Sequence, residues 1–298
     1  MDWTVAGFYR FTPLDPVAAR AALAGPFCRL GIKGSVLLAE EGVNGTIAGT
    51  DDAVAEAVGL LRALPGCADL APRLSRADAP PFGRLKVRLK REIVSMGRPG
   101  PLGPTARRVA PGDWDALIAA DDVAVIDVRN GYESAIGTFD GALVPGTETF
   151  RDFPAWWEAN RAALAGKRLA TFCTGGIRCE KAGAFLAEQG VDVAQLDGGI
   201  LAYLAQRPDG GAWRGGCFVY DERVALGPGL AGTDHVLCRA CRRPVEAADT
   251  RRPDWEDGVS CHLCIGEFSE EDRARFRERT RQMALAERRG EAHLGRTG

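Results

Sequence analysis

Residues 167–190 constrain the fold of this chain more than any other segment, because they join a short apolar strand, a turn with adjacent glycines and a helix. The strand is KRLATFC and the helix is CEKAGAFLAEQG. Two further apolar strands, VAVIDVR and VAQLDG, alternate with helical patterns in the same region. This alternation predicts a parallel α/β sheet with helices on both faces. Ligands of such sheets bind beyond the carboxyl ends of the strands, and Cys173 stands at such an end.

The turn after this strand, CTGGIR, has the composition of an active-site loop. Paired glycines let the backbone curl so that several N–H groups point at one spot, and the following helix adds its positive end there. Both effects favour the thiolate of Cys173, and Arg178 can add its charge to the loop or to a substrate. The alternative for Cys173 is a buried structural cysteine. We predict catalytic roles for Cys173 and Arg178, within a loop completed by Thr174, Gly175, Gly176 and Ile177.

Four other residues are candidates for supporting roles. Asp127 and Arg129 end another strand, where we expect them to brace the loop through charge-assisted hydrogen bonds. Cys179 either packs against the sheet or resolves an oxidised Cys173. Cys217, in GGCFVYDERV, either approaches the active site or is a small buried hydrophobic residue.

The first 95 residues predict a separate α+β domain. Strand and helix patterns follow the order β-α-β-β-α-β, which is that of the ferredoxin-like split βαβ arrangement. The turn between the second and third strands is expected at Gly42, Asn44 and Gly45. The last strand of the arrangement is expected from RLKVRLKREIV, which ends near residue 94.

That last strand has a period of two residues, with apolar side chains alternating with cations. The apolar residues expected in the core are Leu85, Val87 and Leu89. A row of cations on an open sheet can neutralise RNA phosphates, although charges can also simply solvate an edge strand. The candidate RNA-binding residues are Lys86, Arg88, Lys90 and Arg91.

Repeated prolines and glycines in residues 96–112 predict a linker. The expected organisation is therefore a ferredoxin-like domain at 1–95, this linker, a parallel α/β domain at 113–210, and a small cysteine-rich tail with a charged helix at 211–298.

Composition narrows the functional classes. The 298 residues include 38 Lys and Arg and 40 Asp and Glu, for a formal net charge of -2 at pH 7, which excludes a protein that coats polyanions through its overall charge. The amino-terminal residues lack a signal-peptide pattern, and no apolar run reaches the roughly 18 residues of a membrane span. We therefore expect a cytoplasmic protein with no membrane partner.

Nine cysteines in such a chain favour thiol chemistry or metal binding over disulfides. Cys238 and Cys241 form one Cys-x-x-Cys pair, and Cys261 and Cys264 form another after 19 intervening residues. This spacing is typical of a structural zinc site, with redox dithiols or unligated thiols as alternatives. Because there are only three histidines and no dinucleotide fingerprint, no cofactor is evident for catalysis.

The segments VIDVRNGYESAIGTFDGALVPG, CTGGIR and LDGGILAY resemble the rhodanese family, in which the loop cysteine carries a persulfide. Related phosphatases and arsenate reductases have five residues between the loop Cys and Arg. Cys173 and Arg178 enclose four, which disfavours a phosphatase.

A wider resemblance covers roughly residues 4–265. FYRFTPL, LLAEEGVNGTIAG, LKVRLKREIV, CTGGIRCEKA and CFVYDERVAL together resemble the bacterial tRNA uridine hydroxylase family. The resemblance implies an oxidoreductase that forms 5-hydroxyuridine at the tRNA wobble position, with Cys173 as the active-site residue. It also implies molecular oxygen and an electron donor, which the sequence does not identify, as partners.

Two other interpretations stay open at this point. One is a rhodanese-type sulfurtransferase that acts on thiosulfate or small thiols. The other is a non-catalytic rhodanese scaffold or redox-sensing binding protein.

Overall fold

The computed structural model describes residues 2–100, 102–103 and 106–290. Its first domain is a five-stranded sheet with two helices packed on one face. The elements are β1 (Trp3–Phe11), α1 (Pro16–Arg29), β2 (Lys33–Ala39), β3 (Gly42–Gly49), α2 (Asp51–Arg62), β4 (Arg73–Ala77) and β5 (Leu85–Leu89). The strand order is β4-β1-β3-β2-β5. The expected ferredoxin-like topology is present, with one strand more than expected.

The identity of the closing strand differs from the prediction. β4 pairs antiparallel with β1 and closes the split βαβ unit, whereas the basic strand β5 lies at the opposite edge, parallel to β2. The sequence of β4, RLSRA, does not predict a strand because it is short and polar. Its one large apolar side chain, Leu74, is 57% exposed and does not mark a buried face. Leu85 and Val87 of β5 pack against the core as expected, but Leu89 is 40% exposed. The alternation therefore holds only for the first part of β5.

The turn between β2 and β3 also differs from the prediction. It consists of Glu40 and Glu41, and the glycine predicted to form it, Gly42, begins β3. Gly42 has a φ of +138°, and a Cβ there would lie 2.0 Å from the carbonyl oxygen of Arg10 on β1. Glycine is required by this close approach of two strands, not by a turn.

The second domain contains a parallel four-stranded sheet in the order β6-β10-β9-β7. Its elements are β6 (Arg107–Val109), α3 (Pro111–Ile118), β7 (Val123–Asp127), α4 (Gly131–Ser134), β8 (Gly137–Phe139), α5 (Phe153–Asn160), β9 (Arg168–Phe172), α6 (Ile177–Ala187), β10 (Val193–Leu196), α7 (Gly199–Gln206) and β11 (Trp213–Gly215). Leu169 faces the core shared with α5 and α6, and Ala170 faces the core shared with α3 and α7. Helices therefore cover both faces, as expected.

Two segments belong to this domain although they were predicted to lie outside it. β6 falls within the predicted linker 96–112. Residues 101, 104 and 105 of that linker lie outside the described residues. β11 falls within the predicted tail and pairs antiparallel with β8. Trp213 of β11 packs on Phe139 with ring centroids 5.1 Å apart, so this apolar contact extends the core past residue 210.

The remaining chain forms a small cysteine-rich unit. Its elements are β12 (Cys217–Phe218), β13 (Ala225–Leu226), β14 (Val236–Leu237), β15 (Pro244–Val245) and α8 (Glu270–Arg288). The segment between β12 and β13 contacts the first domain, because Arg223 donates hydrogen bonds to Ser75 Oγ and to the carbonyl oxygen of Arg76. Ser269 and Asp272 form a capping box at the start of α8. Residues 291–298 of the predicted tail lie outside the described part.

A buried cation joins the first two domains. Lys181 on α6 is 3% exposed, and its Nζ donates to Glu41 at 2.9 Å and to Glu92 at 2.7 Å. Glu41 also accepts from the Ile93 N–H. Within the described residues, no helix is both long enough and apolar enough to cross a bilayer.

Candidate functional site

Cys173 follows β9 directly, at the carboxyl edge of the parallel sheet. Gly176 has a φ of +97°, which a side chain rarely adopts, and its N–H donates to Cys173 Sγ at 3.1 Å. The N–H of Ile200, from α7, donates to the Cys173 carbonyl oxygen at 3.0 Å. The predicted loop is thus a backbone cradle closed around a buried sulfur atom.

The cradle favours the thiolate. Burial alone raises the pKa of Cys173, but the hydrogen bond from Cys179, the charge of Arg178 and backbone donors outweigh burial and lower it to about 5. Cys179 itself is buried, and burial together with the Cys173 thiolate raises its pKa well above the ordinary range. Cys179 is therefore a protonated donor to Cys173 near neutral pH.

Arg178 is held by a residue outside the loop. Its guanidinium donates to the two carboxylate oxygens of Glu133 at 2.5 and 2.8 Å, and both side chains are buried. Thr174 Oγ1 lies 3.4 Å from Arg178 and from Glu133. Arg178 acts on the thiolate through its charge, while two of its N–H donors are bound to Glu133.

Asp127 and Arg129 were predicted to brace the cysteine loop, but the hydrogen bonds that the structure shows for them lead to each other, to α4 and to β8. The Arg129 guanidinium binds both carboxylate oxygens of Asp127 at 2.9 and 2.6 Å, with both side chains fully buried. It also donates to the Gly137 carbonyl oxygen at 2.6 Å, and Thr138 Oγ1 donates to Asp127 at 3.0 Å. This network ties the end of β7 to β8.

The first domain reaches the cysteine loop through a residue that the sequence did not single out. Tyr9 on β1 donates to Glu180 at 3.0 Å, and a Cβ on Gly176 would lie 3.0 Å from the Tyr9 hydroxyl. Arg73 on β4 lies over the Tyr9 ring at 5.5 Å. The loop is therefore covered on one side by a different domain.

A second aromatic residue comes from the segment CFVYDERV. The Tyr220 hydroxyl lies 3.0 Å from Glu133 Oε2 and 3.0 Å from the Tyr132 hydroxyl. Cys217 of the same segment is buried in the second domain, and burial raises the pKa of its thiol to about 12. Cys217 is thus a neutral thiol within the core near Arg129.

The predicted RNA-binding cations remain together on one edge of the first domain. Arg88, Lys90 and Arg91 are exposed, and Lys86 is half-buried. Burial and the neighbouring cations, among them Arg84, lower the pKa of Lys86, and Arg242 of the cysteine-rich unit contributes to this effect. Positive charge thus accumulates where the first domain meets the cysteine-rich unit.

The four cysteines of the tail converge. The sulfur atoms of Cys238, Cys241, Cys261 and Cys264 all lie within 4.8 Å of one another. Contacts of 3.9, 3.8 and 3.6 Å join the pairs 238–264, 241–261 and 261–264. A tetrahedral ion with Zn–S bonds of about 2.3 Å requires sulfur separations of about 3.8 Å. The donor set and its geometry fit zinc, and His262 is not among the converging ligands.

The aromatic residues of α5 pack within the second domain. Phe153 stacks with Phe150 and Trp156 at centroid distances of 6.0 and 5.9 Å, and Trp157 Nε1 donates to Gln189 at 3.0 Å. These contacts make helix packing the role of the group, with Trp156 half-buried at its edge.

Comparisons with known proteins identify both major domains. Residues 3–93 match the family model "UPF0176 acylphosphatase like domain", and residues 110–206 match the model "Rhodanese-like domain". The chain is therefore a rhodanese-domain protein with an acylphosphatase-like domain before it.

Curated relatives narrow this class to one family. Proteins named "tRNA uridine(34) hydroxylase" from Jannaschia sp. (strain CCS1), Ruegeria pomeroyi and Brucella anthropi are 56%, 54% and 53% identical to it. The matches cover 98%, 98% and 99% of this chain and 99% of each relative. The chain belongs to the tRNA uridine(34) hydroxylase family, as its sequence motifs indicated.

Proposed function

We propose that this protein is an enzyme that hydroxylates uridine 34 of tRNA, with the Cys173 thiolate as the reacting group. The observation that carries this proposal is the cradle of backbone donors around Cys173, in which the pKa of its thiol is lowered to about 5. Relatives named "tRNA uridine(34) hydroxylase" match this chain over nearly their full length. A tRNA substrate is met in the cytoplasm, so the proposed activity supports a cytoplasmic enzyme.

The chemistry assigned to Cys173 is nucleophilic activation of the uracil ring. Its sulfur forms a bond to C6, which makes C5 electron-rich. C5 then takes up an oxygen atom from molecular oxygen, while a donor of electrons and protons reduces the other oxygen atom to water. Loss of the C5 proton and departure of the thiolate restore the double bond and leave 5-hydroxyuridine. The low pKa of Cys173 supports both its attack and its departure.

The edge of the first domain supplies the proposed binding surface for tRNA. Lys86, Arg88, Lys90 and Arg91 offer charges for phosphates, and Arg242 extends this surface from the tail. Tyr9 joins the same domain to the cysteine loop, so a bound tRNA would be positioned relative to Cys173.

The experiment compares Cys173→Ser with Cys28→Ser, which changes an exposed thiol on α1. Purified variants receive unmodified tRNA, an electron donor and ¹⁸O-labelled oxygen, and wobble nucleosides are analysed by mass spectrometry. We expect one labelled oxygen atom in the product of the parent and of Cys28→Ser, and no product from Cys173→Ser. Product from Cys173→Ser would contradict the assignment. Thiosulfate turnover without any tRNA modification by the parent would favour the sulfurtransferase instead.

We also propose a structural zinc ion bound by Cys238, Cys241, Cys261 and Cys264. The sulfur separations support it, and the apolar cluster around these cysteines is small, so a metal would supply much of the stability of this unit. Elemental analysis should find about one zinc per chain in the parent and in Cys28→Ser, and loss of the metal in Cys241→Ser. A folded parent protein that binds no zinc after refolding with the metal would overturn the proposal.

A further inference from the structure

Tyr220 is a large aromatic side chain that is exposed beside a buried site. It is 61% exposed, although its hydroxyl contacts Glu133, whose carboxylate is fully buried. Glu133 in turn binds Arg178, whose charge stabilises the Cys173 thiolate. One end of Tyr220 is thus fixed at the buried Glu133–Arg178 pair beside Cys173, and its ring remains open to a ligand.

The orientation of this ring is fixed by three contacts. The hydroxyl lies 3.0 Å from Glu133 and 3.0 Å from the Tyr132 hydroxyl, and the ring meets Phe218 at a centroid distance of 5.0 Å and an angle of 86°. An edge contact of this kind holds the plane of a ring without covering both of its faces. Tyr220 therefore loses little conformational freedom when a flat ligand stacks on it.

Tyr132 does not offer the same surface. It is half-buried and meets Phe218 at 5.5 Å and 89°. Its hydroxyl accepts from Asn130 Nδ2 at 3.2 Å, which places it within the packing of α4. Of the two tyrosines at Glu133, Tyr220 is the one with an accessible ring.

We propose that Tyr220 is the platform on which the base of the target nucleotide stacks when the base approaches Cys173. This inference rests on the proposed function, because it takes the ligand to be a single-stranded pyrimidine nucleotide in RNA. Single-stranded RNA is recognised by splaying bases out onto aromatic side chains, and enzymes that modify a base extrude it into a pocket. Tyr220 comes from a segment that follows the rhodanese-like domain, so it adds a base-binding surface to a site that otherwise needs to hold only a sulfur atom.

The kinetic test compares three variants in tRNA hydroxylation. Tyr220→Ala removes the ring, Tyr220→Phe keeps the ring without its hydroxyl, and Trp156→Ala removes a half-buried ring on α5 of the second domain. Tyr220→Ala loses the binding free energy of a base stacked on an aromatic ring, and this loss should raise KM about 5- to 150-fold. We expect Tyr220→Phe to stay within about fivefold of the parent and Trp156→Ala to be unchanged. An unchanged KM in Tyr220→Ala, or an equal rise in all three variants, would overturn the proposal.

A direct test does not depend on catalysis. An anticodon stem-loop with 5-iodouridine at position 34 is bound to the full-length parent, irradiated, and the crosslinked peptide is identified by mass spectrometry. Crosslinking to Tyr220 supports the proposal, and crosslinking exclusively to other residues refutes it. If the parent neither binds the stem-loop nor hydroxylates tRNA, the proposed function itself fails. If it does both while Tyr220→Ala matches the parent, only the platform fails.

Discussion

The carboxylate of Glu133 binds the guanidinium of Arg178 through two hydrogen bonds of 2.5 and 2.8 Å in a buried environment. Glu133 belongs to α4, outside the loop that contains Arg178. The pair holds the positive charge of Arg178 beside Cys173, and Glu133 accepts from two N–H donors of the guanidinium. The hydrogen bond from Cys179, then this charge and the backbone donors, keep the pKa of a fully buried thiol low.

A double-mutant cycle tests this pair. Arg178→Gln leaves the Glu133 carboxylate buried without its cation, and Glu133→Gln leaves the guanidinium without its anion, so each should lower the free energy of unfolding by about 3–5 kcal/mol. The double variant buries two neutral amides and should lose clearly less than the sum of the single losses. Urea unfolding measures all four proteins, and additive losses would show that the pair is not coupled. Removal of Arg178 should also raise the pKa of Cys173.

The pH dependence of Cys173 labelling provides a second prediction. Because its pKa is about 5, the rate of iodoacetamide labelling should rise between about pH 4 and pH 6 and then level off. An ordinary thiol, with a pKa of about 8.5, keeps gaining reactivity up to about pH 9. Peptide mapping across this pH range measures the profile of the folded protein, and urea-unfolded protein serves as the control. A folded-state midpoint near 8.5 would contradict the effect of the cradle on the thiolate.

Local patterns in the sequence were sufficient to predict the parallel sheet and the cysteine loop. The strand before Cys173 is mostly apolar, and the two glycines and Arg178 follow within a few residues, so the whole arrangement is encoded in one segment. β4 could not be predicted in this way, because an exposed edge strand such as RLSRA needs few apolar residues.

The contacts of Tyr9, Glu133 and Tyr220 could not be derived from local patterns, since each depends on residues far away in the chain. Tyr9 meets Glu180 only after the first two domains have packed, and Glu133 meets Arg178 only after the second domain has folded. The sequence nevertheless contains one local pattern that includes Glu133. Asn130 and Glu133 have the spacing of a capping box, in which the Glu133 carboxylate accepts from the Asn130 N–H at 3.1 Å.

The basic edge of the first domain provides a third prediction. Lys86→Glu/Arg88→Glu reverses two charges on β5, and Arg20→Glu/Arg29→Glu makes the same change in net charge on α1, which covers the helical face of the sheet. Each phosphate contact with single-stranded RNA contributes about 0.7 to the slope of log K against log salt. The β5 variant should therefore bind tRNA more weakly, with a slope reduced by about 1.4.

Filter binding at several salt concentrations measures both effects. The α1 variant should retain the slope of the parent, because Arg20 and Arg29 belong to α1 and not to the proposed RNA-binding strand. The pH profile of Cys173 labelling should be the same in all three proteins. If both variants lose affinity equally, the effect is one of net charge, and β5 is not an RNA-binding edge.

The buried contacts of Lys181 provide the last prediction, which concerns the stability of the interface between the first two domains. Burial alone would raise the pKa of Glu92, but Lys181 and the N–H groups of Met96 and Gly97 outweigh it and hold this pKa below the ordinary value. The stabilisation from Glu92 is therefore present above its unfolded pKa of about 4.3 and is lost as the pH falls through its lower folded value.

Lys181→Met reverses this dependence, because it leaves the Glu92 carboxylate buried beside Glu41 without a cation. Breaking such a contact should lower the free energy of unfolding by about 3–5 kcal/mol at pH 7. The pKa of Glu92 should then lie above about 4.3, so the folded variant takes up a proton that the unfolded chain does not. The loss in free energy of unfolding, relative to the parent, should therefore shrink as the pH falls from 7 towards about 4.5.

Urea unfolding across this pH range measures this deficit in the free energy of unfolding, with Lys167→Met as a control because Lys167 is exposed. Glu92→Gln in the Lys181→Met background should recover part of the loss at pH 7. A deficit that is the same at every pH would mean that lost packing, and not the uncompensated carboxylate, destabilises the variant.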